Sequence, residues 1–504
     1  MTGRIAAGNI VPVQTASTGG RSDEFGGIVD EEHTRGGGGD FGSHTRGETR
    51  VERGRPASIG KPSLLARLFG RFGAGRDGRL EVRIASLTGS EASDEDTQRL
   101  LRAFDGRPGV RVRRLGQPFA LESAIDEAQA LAATAAAGRR LLAQAQADLL
   151  IWGDVPSPGT TANLRFIPAA IRGEEQLGSI GPASTLSLPV AFESDLSDVL
   201  MAVVLSATTP ITEGRAAALA SALPVAFDAA KAVVGRLPAE LTAREKATVH
   251  ACMGDVSARL AAMRNDMALL ATACEYYGLG LKSLSKDEAP LHWATVQKNL
   301  GLVLLVQAEM DGDTERLEAG IDALRAALQV LARDRFPRTW AAAQNHLGEA
   351  LYRLDAKTGD HELIKHAVAA YQAALQVYNR SETPNQWAET LHNFALAAQL
   401  LGEQVQNAEV IEKAVDACRA ALAVRTREAA PLLWAATQNT LGSALFLLAK
   451  QNRDSDALDA AAEAFTGAAE VYSVHGVEAG AQIAERNLAR VQQLLDRRAP
   501  REST

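Results

Sequence analysis

Amide and basic side chains recur in pairs down the second half of this sequence. Lys298 and Asn299 are followed by Asn345 and His346, then His392 and Asn393, then Asn439 and Thr440, with Arg486 and Asn487 continuing the series. Amides donate and accept hydrogen bonds, and lysine, arginine and histidine engage carboxylates. A column of such groups at constant spacing can read the backbone or the acidic groups of an extended peptide. The bland alternative is a solvated helix face. Lys298, Asn299, Asn345, His346, His392, Asn393, Asn439, Arg486 and Asn487 are the candidate partner-binding residues.

Other chemical spellings fail on geometry. His361-Glu-Leu-Ile-Lys-His366 is close to a zinc-binding His-Glu-x-x-His helix, but its histidines are five residues apart. At about 100° per residue they diverge by about 140° and cannot share a metal. Gly73-Ala-Gly75-Arg-Asp-Gly78 has the glycine spacing of a dinucleotide loop, which needs a strand before it and a helix after it. Here a glycine-rich tract precedes and a strand pattern follows. Gly54 to Lys61 suggests a phosphate loop, yet five residues separate its glycines and Pro62 follows the lysine. The cysteines Cys252, Cys274 and Cys418 are scattered and read as reduced core residues. Glu91, Asp94, Glu95 and Asp96 read as the cap and first turn of a helix. No Gly-x-Ser-x-Gly elbow occurs. The expectation is no catalytic residue, no metal and no cofactor.

The elements that position the polar column are set by a period. Trp293, Trp340, Trp387 and Trp434 stand 47 residues apart, each three after a proline: Pro290, Pro337, Pro384 and Pro431. A fixed period of this size means stacked copies of one unit. Helix A of each copy opens at the proline, whose fixed φ and missing N–H suit the first helical position. A Leu-Gly pair follows at Leu300-Gly301, Leu347-Gly348 and Leu441-Gly442, with Phe394-Ala395 and Met253-Gly254 as looser versions. Helix B opens at Asp313, Asp360, Asn407 and Asp454, each an N-cap residue with an acid two positions later. It then carries a small-large-small set: Ala273-Tyr277-Gly280, Gly320-Leu324-Ala327, Ala367-Tyr371-Ala374, Ala414-Cys418-Ala421 and Ala461-Phe465-Ala468. The Pro-x-x-Trp column reads as a wedge between hairpins, with an exposed aromatic ladder as the alternative.

On these residues the stretch from about 240 to 495 resembles the tetratricopeptide-repeat family, whose unit has Leu-Gly on helix A and Ala-x3-aromatic-x2-Ala on helix B. That family's unit is 34 residues and this one is 47. The extra 13 are expected as about seven in the A–B loop and about six between repeats. The resemblance implies a right-handed α-helical solenoid and turns the polar column toward an inner groove. The carboxylate clamp of chaperone-binding relatives needs an asparagine where this chain has Leu302, so that clamp is not expected.

Residues 78–208 alternate between strand and helix patterns. Strands are expected at Leu80, Val110, Asp148, Asn163 and Ser184 onward, and helices at Asp94, Glu122 and Asp195 onward, which together make a small α/β domain. The strand order, with ADLLIWGDV followed by NLRF, is similar to the TolB-like N-terminal domain that bacterial proteins place before helical repeats. Residues 1–77 are rich in Gly, Arg, Ser and Thr and are expected to be a disordered tail. Within it, 63–73 reads as a solvated linker turn or as a short basic helix that touches a membrane surface or a partner.

The fold class is therefore mainly α: a tail over 1–77, a small α/β domain over 78–208 and a helical-repeat solenoid over 209–500. Aromatic content of 5% with abundant alanine suits closely packed helices, and a net charge of −8 gives no reason to expect nucleic-acid binding. No run of about 18 apolar residues predicts a membrane span, and no signal-peptide pattern opens the chain. A cytoplasmic location is expected by default. The expected function is a non-enzymatic scaffold or adaptor holding a protein or peptide in the groove. A regulatory component whose α/β domain binds a small molecule is second, and an enzyme with an unrecognised site there is third. The oligomeric state stays open.

Overall fold

A computed structural model describes residues 78–117, 119–121, 126–170, 176–191 and 194–498. The expected tail over 1–77, its segment 63–73 and the phosphate-loop-like stretch lie outside the described residues. Twenty elements follow among those described, fifteen of them helices.

The first part is a five-stranded sheet in the order β2-β1-β3-β4-β5. Its strands are β1 Leu80–Ile84, β2 Val110–Arg114, β3 Leu149–Asp154, β4 Thr161–Pro168 and β5 Leu186–Pro189. β1 runs parallel to β2 and β3, while β4 and β5 add antiparallel. β3 is central and apolar along its length, and its side chains alternate between faces. Leu149 and Ile151 join the core shared with the helices α1 (Ser93–Arg102) and α3 (Ser194–Ala207); Leu150 and Trp152 join the layer under α2 (Glu127–Ala145). Asp94, Glu95 and Asp96 fill the first turn of α1, whose cap, Ala92, makes no side-chain bond.

The sheet's core does not end at residue 208. It runs through α3 into α4 (Glu213–Val234) and α5 (Ala243–Arg264). Two buried charges tie these parts together. The Asp148 carboxylate, fully buried, accepts from the Glu81 and Ile211 amides at 2.8 and 3.0 Å and pairs with Arg215 of α4 at 3.1 Å. The Arg259 guanidinium of α5 donates to the carbonyls of Leu205, Ser206 and Thr208 at the end of α3, where a cation complements the helix dipole.

The second part is a stack of helical hairpins. α5 pairs with α6 (Met267–Leu281), α7 (Pro290–Asp311) with α8 (Thr314–Leu328), and α9 (Pro337–Thr358) with α10 (Glu362–Ala374). α11 (Pro384–Gln404) pairs with α12 (Ala408–Leu422), α13 (Pro431–Asn452) pairs with α14 (Ser455–Val474), and α15 (Glu478–Arg498) closes the stack. One apolar cluster runs from Leu305 to Val491, so neighbouring hairpins share a core as repeat proteins do. Each proline stands in the first turn of its helix. Asp313, Asn407 and Asp454 cap helix B through their side chains, and Asp360 accepts from the Glu362 amide at 3.2 Å. The seven or so extra residues expected in the A–B loop are not there. Gly312 and Asp313 alone join α7 to α8, and helix A itself is 22 residues long in α7, α9 and α13. Gly312 at φ +73° stops α7 at once, and the cap starts α8 immediately.

In four of the five hairpins a glycine on helix A faces a large side chain on helix B. A Cβ at Gly254 would stand 2.5 Å from the Tyr277 ring, one at Gly348 2.9 Å from Tyr371, and one at Gly442 2.9 Å from Phe465. At Gly301 it would meet Leu324 at 2.9 Å. In the fourth hairpin, α11 with α12, the corresponding positions hold Ala395 and the smaller Cys418. The two sides trade volume, as close packing requires.

The tryptophans are half-buried. Trp293 packs on the cluster of Ala327 and Leu331, and Trp340 and Trp387 on that of Ala374 and Tyr378, which is the wedge position. A further column stands seven residues before each tryptophan: Lys286, Arg333, Arg380 and Arg427. Each reaches the end of the following helix B, donating to Gln329, Gln376, the Ala423 carbonyl and Glu470. Lys286 and Arg427 also lie over the Trp293 and Trp434 rings at 5.9 and 5.5 Å. By length and composition α4 and α13 are apolar enough to cross a bilayer; here α4 packs on α3 and β1, and α13 between α12 and α14.

The volume trade predicts a specific coupling. Gly348→Ala should destabilise by about 1–2 kcal/mol, because the buried Tyr371 ring cannot retreat. In a Tyr371→Cys background the same change should be neutral or stabilising by up to about 1 kcal/mol, since alanine favours the helix. Denaturant melts of the four proteins form a double-mutant cycle. Equal Gly348→Ala effects in both backgrounds would show that the ring does not set the helix spacing.

Candidate functional site

The polar column lies where successive A helices touch one another, α5 on α7, α7 on α9 and α9 on α11. Long helices rich in alanine approach closely there and enclose the side chains between them. Lys298, Asn299, Asn345, His346, His392, Asn393 and Asn487 are between 1% and 6% exposed. Asn439 is half-buried, and Arg486 alone of the set is exposed. Both the expected groove lining and its alternative, a solvated face, put these side chains in the open, and seven of the nine are enclosed instead. Periodicity shows which residues share a helix face, but not that a neighbouring helix covers it.

The buried column falls into three stretches. At its start Asn299 of α7 donates to the Asp255 carboxylate of α5 at 2.7 Å and to the Ser179 carbonyl at 3.3 Å. The Tyr277 hydroxyl of α6 donates to the same Asp255 oxygen at 2.8 Å. Burial lifts the Asp255 carboxyl to about 7, against the pull of the Tyr277 and Asn299 bonds and the charge of Lys298. In the middle, Asn345 Oδ1, both ring nitrogens of His346, Thr390 Oγ1 and both ring nitrogens of His392 are buried without a hydrogen-bond partner. His346 Nδ1 stands 3.7 Å from Glu349, an ion-pair distance if the ring is charged. Burial, and then Arg425, hold the His392 imidazole well below its ordinary pKa. At the end the column bonds to itself, Asn487 donating to Asn439 at 3.4 Å.

Ser179 belongs to the β4–β5 connection, which lies across the first A helices. Leu177 is buried in the apolar cluster of Ala251, Tyr277, Leu302 and Val306, and Ile180 joins the sheet's core. Between them Gly178 has φ +62°, and a Cβ there would strike the Asp255 carbonyl and the Arg259 amide of α5. Only glycine lets the loop lie this close. The structure thus seats a main-chain segment on the polar column at Asn299: one amide to a carbonyl, one apolar side chain in a pocket.

Sequence reasoning finds Asn299 and misses its partners. Ser179 is 120 residues away, and no period links them. Asp255 shares its register with Leu302 and Glu349, so the acid does not recur in each copy. The basic column at Lys286, Arg333, Arg380 and Arg427 was legible, because it keeps the same 47-residue period as the tryptophans. Among the described residues no group of His, Cys, Asp and Glu is arranged to hold a metal ion.

No family model matches the chain, and no curated protein matches it. Among solved structures it is similar to the crystal structure of the apo form of RapI, with 12% identity and a TM-score of 0.33, covering 61% of this chain and 89% of that one. A likeness this distant carries no argument about what the chain does.

Asp255 makes stability depend on pH. Its carboxyl titrates near 7 when folded and near its ordinary 3.8 when unfolded. The protonated form therefore favours the fold fully below about pH 4, and that contribution is lost as pH rises to about 7, with a slope approaching about 1.4 kcal/mol per pH unit. Asp255→Asn has no proton to lose. Denaturant melts between pH 4 and 8 should show wild type losing stability relative to the variant across that window. A difference that does not change with pH would mean that Asp255 stays ionised.

Proposed function

We propose that the chain is a non-enzymatic scaffold whose repeat helices hold an extended segment of another protein along the A helices. One observation supports this reading above others: the contact of the 176–184 connection with α5 and α7. Asn299 reads a backbone carbonyl, Leu177 fills an apolar pocket, and Gly178 lets the chain lie flat. An amide for the backbone and a pocket for a side chain is how peptide-binding surfaces work in general. The resemblance to tetratricopeptide repeats, carried by Leu-Gly on helix A and the small-large-small set on helix B, points the same way. In this reading the chain's own loop occupies the first part of the surface, and a partner competes for it. Asn345, His346 and His392 contribute as buried groups that shape the surface.

The test uses a labelled peptide with the sequence of residues 176–184, QLGSIGPAS, and two forms of the full chain. Wild type should bind it weakly, because the loop is already seated. Gly178→Val, whose side chain cannot fit against α5, should bind it at least tenfold more tightly. Adding Asn299→Ala should then weaken binding about 2- to 10-fold, the worth of one hydrogen bond. A folded Gly178→Val protein with no affinity for the peptide would defeat the reading.

A further inference from the structure

A second site lies at the junction of the sheet and the repeats. A cleft of about 80 Å3 opens between β4, β5, the start of α5 and the start of α7. That is about two to three water volumes, room for a small charged group. Its lining includes Arg165 of β4, Arg244 of α5 and His292 of α7. The first turn of α7 faces it through Pro290, Leu291 and His292.

Four features there favour negative charge. Ala289 caps α7 without a side-chain bond, and Pro290 has no N–H, so the Leu291 and His292 amides have no acceptor among the described residues. The positive end of a 22-residue helix therefore points into the cleft. His292 is 5% exposed, and its Nε2 is buried without a partner. Arg165 is mostly buried and lies over the Trp152 ring at 5.8 Å, and its polar contacts are long, 3.4 Å to the Pro182 carbonyl and 3.7 Å to Glu127. Arg244 is exposed at the mouth.

We propose that this cleft binds a compact oxyanion, a phosphate or carboxylate group, through Arg165, Arg244, His292 Nε2 and the amino end of α7. Two acids also line it, Glu127 of α2 and Glu288 before α7, and Asp154 of β3 acts on Arg165 from a distance. Glu127 is half-exposed and reaches Arg165 only at 3.7 Å, so an anion seated between Arg165 and the α7 amides displaces a weak pair. Burial, then Arg165 and Arg244, hold the His292 imidazole down at about 3. The ring is neutral, and its enclosed Nε2, protonated in that tautomer, can donate to an oxygen that enters the cleft. An anion between ring and guanidinium offsets the two positive charges and raises the ring's pKa.

The experiment titrates the full chain with inorganic phosphate, phenyl phosphate and sodium acetate against chloride at matched ionic strength. Heat of binding is followed together with the His292 ring resonance. Saturable binding should accompany an upward pKa shift of His292. Phosphate alone, the monoester or acetate as the tightest ligand identifies the source of the group. Arg244→Gln, at an exposed position, should melt as wild type does and bind at least fivefold more weakly, and His292→Gln should bind more weakly as well. No saturable binding of any of the three, or binding that both variants retain unchanged, would overturn the proposal.

Discussion

How closely helix A approaches helix B governs the rest of this structure. Gly254, Gly301, Gly348 and Gly442 leave room for the ring or branched side chain that faces them, and Ala395 stands opposite the smaller Cys418. With that spacing fixed, the hairpins stack and successive A helices come together. The polar column is then enclosed. A wider hairpin would leave Asn345 and His392 facing water; this one makes them part of the interior.

That enclosure is costly where partners are missing and stabilising where they are present. An unpaired buried polar group costs about 1–3 kcal/mol, whereas a paired one contributes about 1. Asn299 and Asn487 are paired, and the groups at Asn345, His346, Thr390 and His392 are not. Within the polar column, hydrogen bonds are therefore concentrated at the two ends of the stack. In the middle, apolar packing through Tyr371, Phe394 and Ile411 and the outer bonds of Arg333 and Arg380 hold the repeats together.

Much of the fold was legible because repetition multiplies a weak local signal. One proline or one aspartate says little, but Pro290, Pro337, Pro384 and Pro431 in register with Asp313, Asp360, Asn407 and Asp454 fix both helices of each hairpin. The five strands were also readable, from apolar runs such as LLIWGD. The candidate site was read only in part. The period singled out Asn299, but its burial depends on the next helix, and its bond to Ser179 depends on a loop that obeys no period. The junction cleft was not readable at all. Arg165, Arg244 and His292 lie on three elements that only the folded chain brings together.

The loop from Gln176 to Ser184 is held at both ends, by β4 on one side and β5 on the other. A tethered segment meets its own surface at an effective concentration of about millimolar. A free peptide competing for the Asn299 surface has its apparent affinity lowered by about the ratio of that concentration to the loop's own dissociation constant. On the proposed scaffold reading, the tether sets a threshold: dilute, weakly matching segments would be excluded, and only a strong or multiply attached one would take the place of the loop.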